Sequence, residues 1–109
     1  VARRAVEIAS DKQASNIVLL DVRGVCSFAD YFVICAGESE RQLRTIHEEV
    51  EAALKQEGVR PHHREGIPGS GWLLLDYGDV IVHIFGAEER DYYRLDELWQ
   101  DARPVLRFQ

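Results

Sequence analysis

A mixed β-sheet covered by helices is the fold this sequence predicts: α/β in layers, or α+β by stricter accounting. Three observations predict it. Along the chain the residue patterns run helix, strand, strand, helix, hairpin and terminal helix. Two of the strands are continuous apolar runs, the pattern of strands covered on both faces. The clearest helix carries a single apolar stripe, which has to lie on a sheet. At 109 residues the chain fits one domain, 1–109, with a core of modest size.

Residues 2–13 predict a helix, because Val1, Ala5, Ile8 and Ala9 recur at helical spacing with Arg3, Arg4, Glu7 and Asp11 opposite. Ile17–Val22 (IVLLDV) predicts a buried strand, and Arg23-Gly24 opens a loop reaching Ala29. Asp30–Ala36 (DYFVICA) predicts a second buried strand, ended by Gly37. Ser39 and Gln42 have capping-box spacing and start a helix. Its stripe is Leu43, Ile46, Val50, Ala53 and Leu54, its wet side carries the i,i+4 pairs Glu40/Arg44, Arg44/Glu48 and Glu51/Lys55, and Gly58 stops it. Val59–Ser70, with two prolines and two glycines, predicts a loop with a short edge strand near Val59.

Gly71–Phe85 (GWLLLDYGDVIVHIF) predicts two strands joined at Tyr77-Gly78. A two-residue loop sets Asp76 opposite Asp79, Leu75 opposite Val80, Leu74 opposite Ile81, Leu73 opposite Val82 and Trp72 opposite His83. Alternation then gives one aliphatic face of Leu73, Leu75, Val80, Val82 and Ile84, which is core. The other face carries Trp72, Leu74, Asp76, Asp79, Ile81, His83 and Phe85, too polar and aromatic for pure core; either it meets a partner, with Trp72 as anchor, or the terminal helix covers it through Trp99 and makes Trp72 core. Opposed aspartates are unfavourable in a sheet. Either solvation at a hairpin tip or a cationic partner accounts for them. Ala87–Asp101 predicts amphipathic helical turns built on Tyr92, Leu95, Leu98 and Trp99, ended by Pro104 with a frayed tail.

Composition narrows the function. The net charge of −6 comes without a basic run, which disfavours tracking of a phosphate backbone and suits a basic protein partner. Cys26 and Cys35 lie outside any metal or redox spacing, as in a reduced intracellular setting. No apolar run approaches a membrane span, and VARRAVEIAS lacks the core of a signal peptide. The absence of Met reads as a processed or trimmed start.

Catalytic chemistry finds little purchase. His47, His62, His63 and His83 lack metal-ligand spacing, and nothing beside Cys26 activates a nucleophile. Gly37-Glu38-Ser39 precedes a helix but lacks the Lys and further glycines of a P-loop, so Ser39 reads as a cap. No cofactor or metal is expected.

The ordered blocks LDVRGVCSFADYFVICAGESERQ, WLLLDYGDVIVHIF and RDYYRLDELW closely resemble the Iojap family, known in bacteria as the ribosomal silencing factor RsfS family. The resemblance runs from Ala5 to Asp101, through Asp30-Tyr31-Phe32-Val33-Ile34, Gly37 with Ser39 and Gln42, Glu65-Gly66, Trp72, Asp76-Tyr77-Gly78-Asp79, His83-Ile84-Phe85, Arg90, Tyr93, Leu95 and Leu98-Trp99. It implies a nucleotidyltransferase-like fold without the catalytic carboxylates, and no enzyme activity. It further implies a cytoplasmic protein, a homodimer when free, that docks on ribosomal protein L14 of the large subunit. There it blocks subunit joining and lowers translation when nutrients are short. The partner-facing residues it implies are Trp72, Leu74, Asp76, Tyr77, Asp79, His83 and Tyr93. The rivals are a large-subunit assembly factor, sharing the same docking site, and a nucleotidyltransferase-like enzyme using Ser39 and the acids near the turn.

Overall fold

The computed structural model describes residues 1–66 and 69–86, and the backbone of 103–108. The elements are α1 (Ala2–Asp11), β1 (Ser15–Asp21), β2 (Tyr31–Gly37), α2 (Glu40–Gln56), β3 (His63–Glu65), β4 (Trp72–Asp76), β5 (Val80–Gly86) and β6 (Arg103–Phe108). They form one six-stranded mixed sheet in the order β3-β4-β5-β2-β1-β6. The β2–β5 pair is parallel and the other four pairs are antiparallel.

Both helices pack on one face. Ala5, Ile8 and Ala9 of α1 and Leu43, Ile46, Val50 and Leu54 of α2 join Val33, Leu73, Leu75, Val82 and Ile84 in one core. Ser39 caps α2 as expected, its Oγ accepting from the Gln42 N–H at 3.1 Å. The Gln42 amide does more than close a box. Its Oε1 accepts from Glu38 N–H at 2.7 Å, and its Nε2 donates to the carbonyls of Lys12 and Gln13 at 3.3 and 2.9 Å. One side chain thus ties the start of α2 to the end of α1. Gly58 stops α2 with φ +85, where an L-residue would be strained.

The hairpin differs from the expected register. Asp76 pairs with Ile81, Leu75 with Val82, Leu74 with His83, Leu73 with Ile84 and Trp72 with Phe85. The aspartates are therefore not opposed. The turn is longer because its groups are held from outside: Asp79 O accepts from Asp30 N–H and Tyr31 N–H at 2.8 and 3.0 Å. Asp76 Oδ1 also accepts from Gly78 N–H at 2.7 Å, an Asx turn. A slip of two residues keeps side-chain parity, so the two hairpin faces are divided as the alternation predicts.

The second face of the sheet is also core. Val18, Leu20, Val22, Ala29, Phe32, Ile34, Ile81 and Phe85 are buried there, with Trp72 and Leu74 packed against them. The hairpin's mixed face thus sinks into this layer at β5 and rises out of it at β4. Two further expectations are corrected. The edge strand is His63–Glu65 and not at Val59, because the Val59 N–H closes α2 by donating to Leu54 O at 2.8 Å. The tail at Pro104 is strand β6 and not a frayed end. Proline is tolerated because β6 is an edge strand, and the β1–β6 register shifts beside the Leu20–Pro104 pair. The expected helical turns at Ala87–Asp101 lie outside the described residues, Trp99 among them.

Candidate functional site

Alternation along β4 puts Trp72, Leu74 and Asp76 half-buried on the second face, while Leu73 and Leu75 face the helices. Beneath Trp72 lie β5 aromatics. Its ring is 5.1 Å from Phe85 and 6.0 Å from His83, and its Nε1–H donates to His83 Nδ1 at 3.3 Å. His83, 5% exposed, meets the edge of Phe32 at 4.9 Å. Phe32 in turn lies 6.1 Å from Phe28, which is 62% exposed. A run of rings therefore crosses from β4 to the loop before β2, surfacing at Trp72 and Phe28. The indole is held on two sides, so little conformational freedom remains for a partner to remove.

The residues named from the sequence separate into three groups. Trp72, Leu74 and Asp76 share the half-buried surface, with His83 as the buried support of Trp72. Asp79 is exposed at the turn, in a cleft of about 520 Å³ that also contains Asp21, Arg23 and Tyr31. Tyr77 turns away. It is 6% exposed in the helix-side core, and burial first and the charge of Glu51 second push its phenol up to about 12. The Tyr77 hydroxyl has no hydrogen-bond partner among the described residues. Tyr93 lies outside the described residues.

Three features escape the sequence reading. Phe28 sits in a loop between two apolar runs, where nothing in the pattern separates an exposed ring from a buried one. Asp21 is 5% exposed and takes Arg23 in a fork, at 3.0 Å from Nε and 2.7 Å from Nη2. The guanidinium lies 5.2 Å over the Tyr31 ring, and the bond to Asp21 raises its pKa. The i, i+2 spacing of Asp21 and Arg23 at a strand end was the available signal. His47 is third. It lies 4% exposed on the apolar side of α2, with Nε2 3.2 Å from Leu74 O and Nδ1 3.3 Å from Arg64 Nη2. Donation to the carbonyl fixes the neutral ring to accept from Arg64. Desolvation, then Arg64, lowers its pKa, against the Leu74 bond that raises it.

Among the described residues no group of three or more His, Cys, Asp or Glu side chains is placed to hold a metal ion. The histidines are dispersed: His47 on the helix side, His83 in the opposite core, His62 and His63 at the β3 edge. No helix among the described residues is long and apolar enough to cross a membrane.

Half-buried Trp72 and Leu74 give the β4 side of the sheet an apolar surface of the kind that contacts a partner. Comparison with known proteins makes this specific. The family model described as "Ribosomal silencing factor during starvation" matches residues 1–109. A ribosomal silencing factor from Halalkalibacterium halodurans is 41% identical over 101 residues, covering 93% of this chain and 86% of that protein. One from Bacillus subtilis is 39% identical, covering 94% and 86%. A crystal structure of a Chromobacterium violaceum protein superposes with a TM-score of 0.86 at 33% identity, covering 90% of this chain and 82% of that one. The chain belongs to the ribosomal silencing factor family, RsfS, whose members act on the ribosome by binding and not by catalysis.

Proposed function

We propose that this chain docks on ribosomal protein L14 of the large subunit and so keeps the small subunit from joining, repressing translation when nutrients are limiting. The contact surface is the β4 strip of Trp72, Leu74 and Asp76, with Asp79 at the turn, His83 as buried support, and Phe28 extending the strip beyond the hairpin. Tyr77 contributes to this surface by holding the turn from the helix side, and Tyr93 belongs to the same region by family resemblance. The reading places the protein in the cytoplasm and has it able to pair with a second copy when free.

One observation carries the site: the Trp72 indole, packed at a tilt on Phe85 and bonded to His83, still reaches the surface on the strand face that ends at Asp76. A preorganised aromatic anchor at the surface, with acidic residues farther along the same face, has the composition of an interface core and its charged rim. Silencing then needs no chemistry, because two partners that require one face of the large subunit exclude each other. The test is a titration of isolated L14 with the wild-type chain and with Trp72→Ala, beside light scattering of subunit association. Wild-type binding, inhibition of joining, and loss of both in a folded Trp72→Ala variant are expected. Subunits that join normally at saturating wild-type protein refute the proposal.

A further inference from the structure

Basic residues scattered along the sequence come together beside the β3 edge. Lys55, near the end of α2, and Arg60, His62 and Arg64, from the segment after it, line an open cleft of about 400 Å³. All four are exposed. Glu51 is the acid among the cleft's described lining residues, and Arg64 engages it at 3.0 Å. The expected Glu51/Lys55 pair does not form, because Glu51 is taken by Arg64, and neither Lys55 nor Arg60 is paired with a carboxylate among the described residues. Three side-chain cations against one carboxylate make a positive cleft on a chain whose net charge is −6.

The segment that presents Arg60 is anchored at both ends. Val59 N–H bonds Leu54 O at 2.8 Å, and His62 N–H bonds Asp76 O at 2.7 Å, with Pro61 restricting the backbone between them. The cleft also adjoins the turn of the proposed contact surface. The His62 ring lies so close over Gly78 that a Cβ there would come within 3.0 Å of its Cε1.

We infer that this cleft takes the phosphodiester backbone of ribosomal RNA, a second contact with the large subunit made alongside the protein contact. The inference rests on the proposed docking. Guanidinium and ammonium groups match phosphate oxygens in charge and in hydrogen-bond donors. No Phe, Tyr or Trp is among the described residues lining the cleft, so it offers no platform for stacking bases. The contact is to backbone and carries no sequence readout. Such a site escapes a search for basic runs, because its cations come from a helix end and a loop and are gathered only by folding.

The test is the double substitution Lys55→Ala/Arg60→Ala in the full chain, which removes two exposed side chains. Affinity for purified large subunits is measured against salt concentration, and affinity for isolated L14 in parallel. The double variant should bind subunits more weakly, with the slope of log K against log salt reduced by about 2, while binding L14 as the wild type does. A photo-crosslinker in place of His62 should label ribosomal RNA. An unaltered salt slope, crosslinks to ribosomal protein alone, or equal loss of L14 affinity overturns the inference. A wild type that fails on L14 yet keeps its slope and RNA crosslink would instead refute L14 as partner and leave the RNA contact standing.

Discussion

Trp72 is at once part of the second core and part of the surface, and both roles should be measurable. A fully buried large aromatic costs roughly 3–5 kcal/mol on truncation to Ala. Trp72 is half-buried, so Trp72→Ala should lower the melting temperature by less than that implies and leave the chain folded at 25 °C. Binding to L14 should fall by on the order of 2 kcal/mol or more. Titration at a temperature where the variant is folded separates the two, and unchanged binding there would remove Trp72 from the interface. Tyr77 gives the opposite case. Its buried hydroxyl lacks a partner among the described residues, and an unmade hydrogen bond costs more than an absent group. Tyr77→Phe should therefore keep or raise the melting temperature, as calorimetry can check. His47 adds a pH dependence. Its folded pKa lies below the ordinary imidazole range, so as pH falls into that range the unfolded chain binds the extra proton more readily. Its contribution is complete above the unfolded pKa and is lost as pH falls through the folded one. Glutamine can donate to Leu74 O and accept from Arg64 without titrating. The drop in melting temperature from pH 7 to 5 should be smaller in His47→Gln than in wild type.

Elements here are held by burial on both sheet faces and by a few side chains that join one element to another. Val50 on α2 and Leu75 on β4 are both fully buried on the helix side of the sheet. Both places are apolar core, and Arg64, which lies across from Leu75, is already engaged by Glu51, so Val50→Asp and Leu75→Asp should each cost several kcal/mol. Urea denaturation should show lower midpoints for both. A midpoint unmoved by either substitution would mean that α2 does not pack on β4 as described. The turn follows a different logic: Asp76 and Asp79 hold it through a side-chain oxygen and a backbone carbonyl respectively. The Asp76 carboxylate is thus partly committed to Gly78, leaving the more exposed Asp79 as the stronger electrostatic contributor to a partner.

For the whole molecule, two kinds of contact should respond differently to salt. The acids at the turn and the cations at the β3 edge act through charge, screened beyond a Debye length of about 8 Å at physiological ionic strength. The Trp72 and Leu74 contact acts through burial of apolar surface, which salt does not screen. Binding to isolated L14 should therefore weaken with salt to a plateau above zero, whereas binding to the whole large subunit should fall more steeply. Surface-coupled or calorimetric titrations across a salt series would show it, and an affinity for both that is flat in salt would exclude the electrostatic part.

Local pattern settled much of this protein before any tertiary contact was known. Periodicity placed α1, α2, β1, β2 and the hairpin within a few residues, because an apolar stripe or an alternation is a property of one segment. The division of hairpin faces survived a wrong register, since parity is preserved by a two-residue slip. The family was legible too, in ordered blocks that need no coordinates. What folding alone decided depended on partners distant in sequence. The turn length follows from Asp30 and Tyr31 bonding Asp79. Strand β6 exists because β1 offers it an edge. Tyr77 is inside and Phe28 outside because packing, not pattern, assigns the faces of a loop. His47 is buried because Leu74 and Arg64 satisfy it, and the basic cleft arises where the end of α2 and an anchored loop bring separate cations together. One-dimensional pattern records which face a residue takes; only the three-dimensional chain decides what that face meets.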